Sequence, residues 1–501
     1  MIKLLSETAF KSLIAVILIN FLIGCSAQRI LSKEEFFNRT VTEIDSLFNA
    51  DMFRHAHWGV LIKSLDTGNE WYEKNSQKVF MPASNEKIIT TSAALLNLGP
   101  EFRFETRVSY RGEIKDSILD GDLVVWGNGD PTMYTRFYDD PRDVFYKWAD
   151  ILDSIGIKSI TGNIIGDDNA FDDRPLGYGW SYGGLDSWYS AEVGALQLNE
   201  NYIDFTIVPP DTGKDSVLVI PNLPSGYYKV INNIEVADTG RNRLKYERKS
   251  GENIIYFSGK VRSGSKEFEV SPTITNPTLF YVTVLYEVLE EKGISIEGKP
   301  VDVDSIESWD QDADKDSLLI QHFSPELSEI LKFLMKKSQN LYAETMVRVL
   351  GWKYEGLGSF RNGRKIVDST LAGFGVTEDS YRYMDGSGLS RYDYVSPETL
   401  VKVLEGMYKS EYKDIWLNTF PIGGVDGTLE ERFINNSAQG IVRAKTGTIS
   451  NVRGLSGYVK TLAGENIVFS FLINGNLLSS RDTEKITDRA VELIAEYHYD
   501  Y

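Results

Sequence analysis

The chain has 501 residues, 42% of them hydrophobic, and a net charge of −19, which is too long for one ordinary domain and too apolar for a disordered chain. The acidic excess argues against nucleic acid as a partner, because phosphate binding needs clustered Lys and Arg. Cys25 is the only cysteine, so no internal disulfide can form.

Residues 1–24 read as an export signal. Lys3 and Lys11 flank its start, and an uncharged apolar run from Leu13 to Ile23 follows, too short to span a bilayer comfortably. The run ends in Leu22-Ile23-Gly24-Cys25-Ser26, which resembles the cleavage and lipidation box of bacterial lipoproteins. That resemblance implies that Cys25 becomes the first mature residue and carries a lipid. It would anchor a periplasmic protein to an envelope membrane, with the outer membrane expected.

Residues 58–74 alternate and turn like a hairpin, and a helical pattern with Ile88, Ile89, Ala93, Leu95 and Leu96 follows until Gly99-Pro100. Ser84 therefore sits where a loop enters a helix. From Phe102 to about Ser271 the short alternating segments, aromatics and glycine turns predict a mostly β insertion of one or two subdomains. Asn276-Pro277 opens a helix with the apolar series Leu279, Val282, Leu285 and Leu289. An acidic stretch from Asp302 to Asp316 reads as an exposed connection. Leu327, Ile330, Leu331 and Leu334 form one helical face that breaks at Lys336-Lys337-Ser338. Residues 440–449, 452–459 and 467–473 then predict antiparallel strands, and Ile486 to Tyr497 a closing helix. The fold class expected is α/β (α+β): residues 29–98 and 272–501 make one unit, interrupted by residues 99–271.

Serine is a weak nucleophile until a partner takes its proton. The four histidines, His55, His57, His322 and His498, lie in no motif of a Ser-His-Asp set, which leaves lysine as the base. Ser-x-x-Lys occurs at Ser84, Ser263 and Ser410. At Ser84 alone it precedes an apolar helix, where positions i and i+3 share a face and bring Ser84 and Lys87 to one cleft. A neutral Lys87 near pH 7 requires its pKa to fall by about 3, worth roughly 4 kcal/mol of burial or cationic neighbours.

Two further motifs complete a set. Ser338-Gln339-Asn340 ends an apolar helix, and Lys445-Thr446-Gly447-Thr448 lies on a predicted strand whose alternation puts Lys445 and Gly447 on one side. Gly447 would let a substrate backbone come close.

In this order the motifs resemble those of the penicillin-binding proteins and serine β-lactamases, whose middle motif is usually Ser-Asp-Asn. The chain is most similar to the D-alanyl-D-alanine carboxypeptidase/endopeptidase group of the penicillin-binding protein 4 type. Gly166 to Phe171, Asp385 to Arg391 and Pro421 to Leu429 look like the same group. The resemblance implies a β-lactamase/transpeptidase-like catalytic domain, with an antiparallel sheet flanked by helices, and no cofactor or metal. The implied partners are peptidoglycan stem peptides and β-lactam antibiotics.

By resemblance, Ser84 attacks the carbonyl of the penultimate D-alanine and Lys87 accepts its proton. Ser338 relays a proton to the leaving amine, Asn340 orients Lys87 and the substrate amide, and Lys445, Thr446 and Thr448 hold the terminal carboxylate. Backbone N–H groups of Ser84 and Thr448 would form the oxyanion hole. Asp167, Phe171 and Arg391 are the positions expected on the side chain of the cell-wall stem, with Asp168 as good a choice as Asp167. Two other readings differ in what they require. A β-lactamase needs a device for rapid deacylation, and no motif supplies one. A non-catalytic wall-binding lipoprotein has no need of intact Ser84, Lys87, Ser338, Asn340 and Lys445.

Overall fold

The computed structural model describes residues 32–211, 216–307, 309 and 316–498. The expected leader and Cys25 lie outside the described residues. Among those described, no helix is long and apolar enough to cross a membrane.

Five antiparallel strands form the central sheet, in the order Arg443–Ile449, Val452–Lys460, Asn466–Asn474, His57–Ser64 and Glu70–Lys74. The hairpin expected near the start of the chain thus completes a sheet begun near its end. Pairing runs along the whole junction, from His57 opposite Asn474 to Ser64 opposite Ile467. Alternation divides the side chains between two cores. Leu61, Val468 and Leu472 face the helices Glu86–Leu98, Leu327–Lys336, Asn340–Glu355 and Pro397–Lys409. Val60, Ile62, Phe469 and Phe471 face the opposite layer, made by helices Lys33–Phe48 and Ser480–Ala495. The first of these was not anticipated, although a capping box of Ser32 with Glu35 marks its start.

The insertion has its own core and three sheets of seven, three and three strands. Its extent corrects the sequence reading. Helix Pro277–Glu291 buries Phe280, Tyr281, Val284 and Leu285 in the insertion core. Strand Ser317–Phe323 pairs with Glu105–Lys115, closing the seven-stranded sheet. The chain therefore returns to the unit built on the central sheet after Phe323, not at residue 272. The strand that decides the boundary pairs across some 200 residues, which no local pattern records. Nor is Asp302 part of an exposed connection. It ends a strand paired with Ile164–Asp167, is buried, and accepts a hydrogen bond from Asn276 Nδ2 at 2.7 Å. The insertion also holds a helix, Asp143–Ser154, which buries Val144, Phe145, Trp148, Ala149 and Leu152 at helical spacing.

Candidate active site

Ser84 lies in a tight turn, Ala83–Asn85, that runs directly into helix Glu86–Leu98. One turn along that helix, Lys87 is fully buried with Nζ 2.9 Å from Ser84 Oγ. Nζ has two other partners, Asn340 Oδ1 at 2.6 Å and the Ser387 carbonyl at 2.7 Å. Asn340 opens helix Asn340–Glu355 and is fixed on its other side, because its Nδ2 donates to the Tyr189 carbonyl at 2.6 Å.

Ser338 occupies the corner between helices Leu327–Lys336 and Asn340–Glu355, with a left-handed φ of 59°. A non-glycine residue holds that conformation only where its surroundings impose it. The corner aims Ser338 Oγ at Lys445 Nζ, 2.8 Å away. Gln339, which stands where the usual motif has Asp, is buried and donates to Glu200 in the insertion. Glu200 is also paired with Arg136 at 2.6 Å. The departure in the middle motif thus serves to tie the corner to the insertion.

Lys445, Thr446, Gly447 and Thr448 lie on Arg443–Ile449, the edge strand of the central sheet. A Cβ on Gly447 would stand 2.5 Å from Asn85 Nδ2 and 2.7 Å from the Pro82 carbonyl oxygen. The glycine is therefore required by the Ala83–Asn85 turn packed against the strand, not by an approaching substrate as the sequence reading expected. Thr446 Oγ1 lies 2.9 Å from Thr428 Oγ1, which brings the Pro421–Leu429 segment to the site.

Electrostatics separate the two lysines from ordinary ones. Burial lowers the Lys87 pKa to about 7, against the opposing pull of Asp385, Glu344, Glu86 and Asp393. Burial, with Lys87 as a second cause, pushes Lys445 well below its usual value. The carboxylates beneath Lys87 respond in kind. Burial and then Asp385 raise Glu344 to about 7, and burial also raises Glu86 and Asp393.

The sequence reading missed what holds the Ser387 carbonyl against Lys87. Asp385 is fully buried and accepts four N–H bonds: from Ser387 at 3.1 Å, Gly388 at 2.6 Å, Ser390 at 2.6 Å and Trp180 Nε1 at 2.8 Å. Glu344 accepts from Gly386 and Ser387 backbone N–H groups at 3.0 and 2.9 Å. The loop is thus clamped from two sides, and Trp180 ties it to the insertion. A short acidic residue followed by Gly-Ser-Gly was the available signal.

Ser84, Ser338, Asn340, Thr446, Thr448 and Arg391 line one cleft of about 1270 Å³. Arg391 Nη1 donates to the Ser450 carbonyl at 2.9 Å. Asp167 and Phe171 do not line it. Asp167 ends a strand of the insertion, where its carboxylate accepts from Asn169 N and Nδ2 at 3.1 and 2.7 Å. Phe171 is a core residue seated against Gly129 and Gly358. Asp168 is bonded to Thr278, with its pKa raised to about 7 by burial first and then by Asp302 and Asp304. Oxygens of Asp168, Asp302 and Asp304 lie within 4.8 Å of one another, a grouping that could hold a cation, away from the cleft. The insertion reaches the cleft through a different segment, with Gly179, Trp180, Ser181, Trp188, Tyr189 and Ser190 among its lining residues. The Gly166–Phe171 string thus divides among a strand end, a turn closed by Asp167 on Asn169, and a core ring.

Residues 40–497 match the D-Ala-D-Ala carboxypeptidase 3 (S13) family. The chain belongs to that family. The D-alanyl-D-alanine carboxypeptidase of Actinomadura sp. (strain R39) is 30% identical over 473 residues, covering 91% of this chain and 84% of its own length. The crystal structure of penicillin binding protein 4 from Haemophilus influenzae is similar with a TM-score of 0.78 at 27% identity, covering 92% of this chain and 99% of that one. The same Haemophilus protein in complex with a β-lactam gives a TM-score of 0.73 at 26% identity, over 92% and 100% of the two chains. This S13 chain is accordingly a serine-type D-Ala-D-Ala carboxypeptidase of the penicillin-binding protein 4 type.

Proposed function

We propose that the protein cleaves D-alanyl-D-alanine ends of peptidoglycan stem peptides, and D-alanyl-diaminopimelate cross-links, through an acyl-enzyme on Ser84. One observation carries the reading: Lys87 Nζ stands 2.9 Å from Ser84 Oγ with a pKa lowered to about 7. A lysine held this way is partly neutral at physiological pH and takes the serine proton as Oγ attacks.

The Oγ–carbonyl carbon bond forms and the peptide C–N bond breaks. The proton that Lys87 took from Ser84 is passed by way of Ser338, itself bonded to Lys445, to the departing amine, which leaves Lys87 neutral again. Water then hydrolyses the ester with Lys87 again as base, regenerating Ser84. The outer side of the edge strand Arg443–Ile449 is engaged near its start, where Ile422 bridges Arg443 and Ala444 N donates to the Pro421 carbonyl, and beyond that point an extended peptide can lie along it. Thr446 and Thr448 line the cleft beside it and suit a terminal carboxylate. Backbone N–H groups of Ser84 and Thr448 serve as the oxyanion hole, where loss of one donor typically costs on the order of a hundred- to a thousandfold. The carboxylate supplies a counter-charge to the buried Lys445.

A β-lactam carries its own reactive carbonyl and acylates Ser84 in the same way, as the β-lactam complex of the Haemophilus relative supports. Penicillin is therefore expected to label the wild-type protein once per chain, and Ser84→Ala to abolish labelling and peptidase activity together. Labelling that survives Ser84→Ala overturns the assignment. Mass analysis of products from cross-linked and uncross-linked muropeptides tests the endopeptidase part, which fails if only uncross-linked ends are cut.

The Leu22–Ser26 string supports lipidation at Cys25 and an envelope location, with the outer membrane as the destination. Palmitate incorporation that persists in Cys25→Ser would refute the anchor.

A further inference from the structure

The insertion side of the cleft carries an edge of exposed aromatic rings that the chemistry at Ser84 does not use. Tyr182 is 83% exposed, Tyr178 62%, Tyr392 48% and Trp188 38%. They stand among residues that line the cleft: Gly179, Trp180 and Ser181 separate Tyr178 from Tyr182, and Tyr392 and Trp188 line it themselves. Large rings exposed together at the mouth of a cleft mark a binding surface. Two of the rings are also held in place. Tyr178 and Tyr392 meet with centroids 5.4 Å apart. A Cβ on Gly179 would stand 2.4 Å from Tyr392 Cδ2, so the Tyr392 ring rests on bare backbone.

The composition of this edge selects its ligand. From Tyr178 to Gly184 the sequence is Tyr-Gly-Trp-Ser-Tyr-Gly-Gly, with no charged and no aliphatic side chain, and Arg391, beside Tyr392, already donates to the Ser450 carbonyl. A lipid or an amphipathic helix would need aliphatic surface, and a polyanion would need cations. An uncharged ring with flat C–H faces and hydroxyl edges fits aromatic planes flanked by Ser181 and backbone amides. That ligand class is the pyranose ring.

We propose that Tyr178, Tyr182 and Tyr392 form a saccharide subsite that takes the glycan bearing the stem peptide. The occupant follows from continuity: the edge adjoins the cleft in which the peptide reacts, and in peptidoglycan the sugar is covalently joined to that peptide. The inference rests on the function proposed above and adds that the enzyme reads the polymer as well as the peptide end.

The test compares kcat/KM on an N-acetylglucosaminyl-N-acetylmuramyl-pentapeptide and on the same pentapeptide without sugars. Wild type is expected to prefer the sugar-bearing substrate. Tyr182→Ala and Tyr178→Ala should each lower its kcat/KM roughly three- to tenfold, with free-peptide hydrolysis and penicillin acylation unchanged. Equal rates on both substrates in wild type, or an equal loss on both in the variants, overturns the subsite and leaves the reading of Ser84 intact. A preference that survives both variants also overturns it, as a surface serving a protein partner would leave it. If wild type hydrolyses neither substrate and penicillin does not label it, the proposed function itself fails and this inference with it.

Discussion

The two walls of the cleft are built on different terms. On the sheet side, Ser84, Lys87, Asn340, Ser338 and Lys445 stand on the ends of two helices, a tight corner and an edge strand, linked by hydrogen bonds of 2.6 to 2.9 Å. On the insertion side, the segment from Gly179 to Ser190 has only two single 3₁₀ turns and exposes its rings. Reacting atoms need fixed distances, so they sit where packing leaves a side chain no freedom. Groups that choose a substrate sit on loops, which change without disturbing a core. The walls are joined by hydrogen bonds, among them Trp180 to Asp385, Asn340 to the Tyr189 carbonyl and Gln339 to Glu200.

If the chemistry belongs to the sheet side alone, the largest effect comes from Ser84→Ala, a loss of about 10⁴-fold or more in acylation by either peptide or penicillin. Lys87→Met should follow at about 10²- to 10⁴-fold. In wild type, acylation should rise with pH through about 7, because protonated Lys87 cannot accept the serine proton and its pKa is lowered to about 7. Below that value the rate should fall close to tenfold per pH unit. Stopped-flow acylation from pH 5 to 9 measures this, and a flat profile would remove Lys87 as the base.

Trp180→Phe cuts one link between the walls while keeping the ring. It takes one of four donors from a buried carboxylate, and hydrogen bonds to charged groups contribute about 1.5–3 kcal/mol. Roughly tenfold slower acylation is expected, with KM for free peptide little changed. A rise in KM alone would place Trp180 in substrate binding and separate the walls.

The remaining tests concern Phe171 and Asp167, which the sequence reading placed against substrate. Phe171→Ala should destabilise the fold by about 3–5 kcal/mol in urea unfolding, with normal kcat in the folded fraction. Asp167→Ala should leave kcat/KM within about twofold, since its carboxylate bonds Asn169 and does not line the cleft. A large loss of activity in Asp167→Ala at full stability would return it to the site.

The contrast explains which residues were legible. Ser84 and Lys87 share a helix face at i and i+3, and Lys445 stands in an alternating strand, so local periodicity pointed each of them inward. Ser338 and Asn340 could be found because a helix visibly ends there. Asp385 lay inside a string that was recognised, yet its work is to accept bonds from a loop and from a tryptophan more than 200 residues away. Gly447 was recognised with the wrong cause, because the turn packed on it comes from the other end of the chain. Asp167 and Phe171 were misplaced because a string resembling a family says which residues recur, not which face they present.

What the sequence determined by itself was therefore the set of side chains that meet around Ser84 and the local elements that carry them, because both follow from spacing within a few residues. The tertiary structure alone decided three things. It set where the insertion ends, through a strand pairing across the whole insert. It lowered the Lys87 pKa, through burial that no single segment provides. It also determined which part of the insertion faces the cleft, because that depends on how two separately cored units dock, and docking leaves no period in the chain.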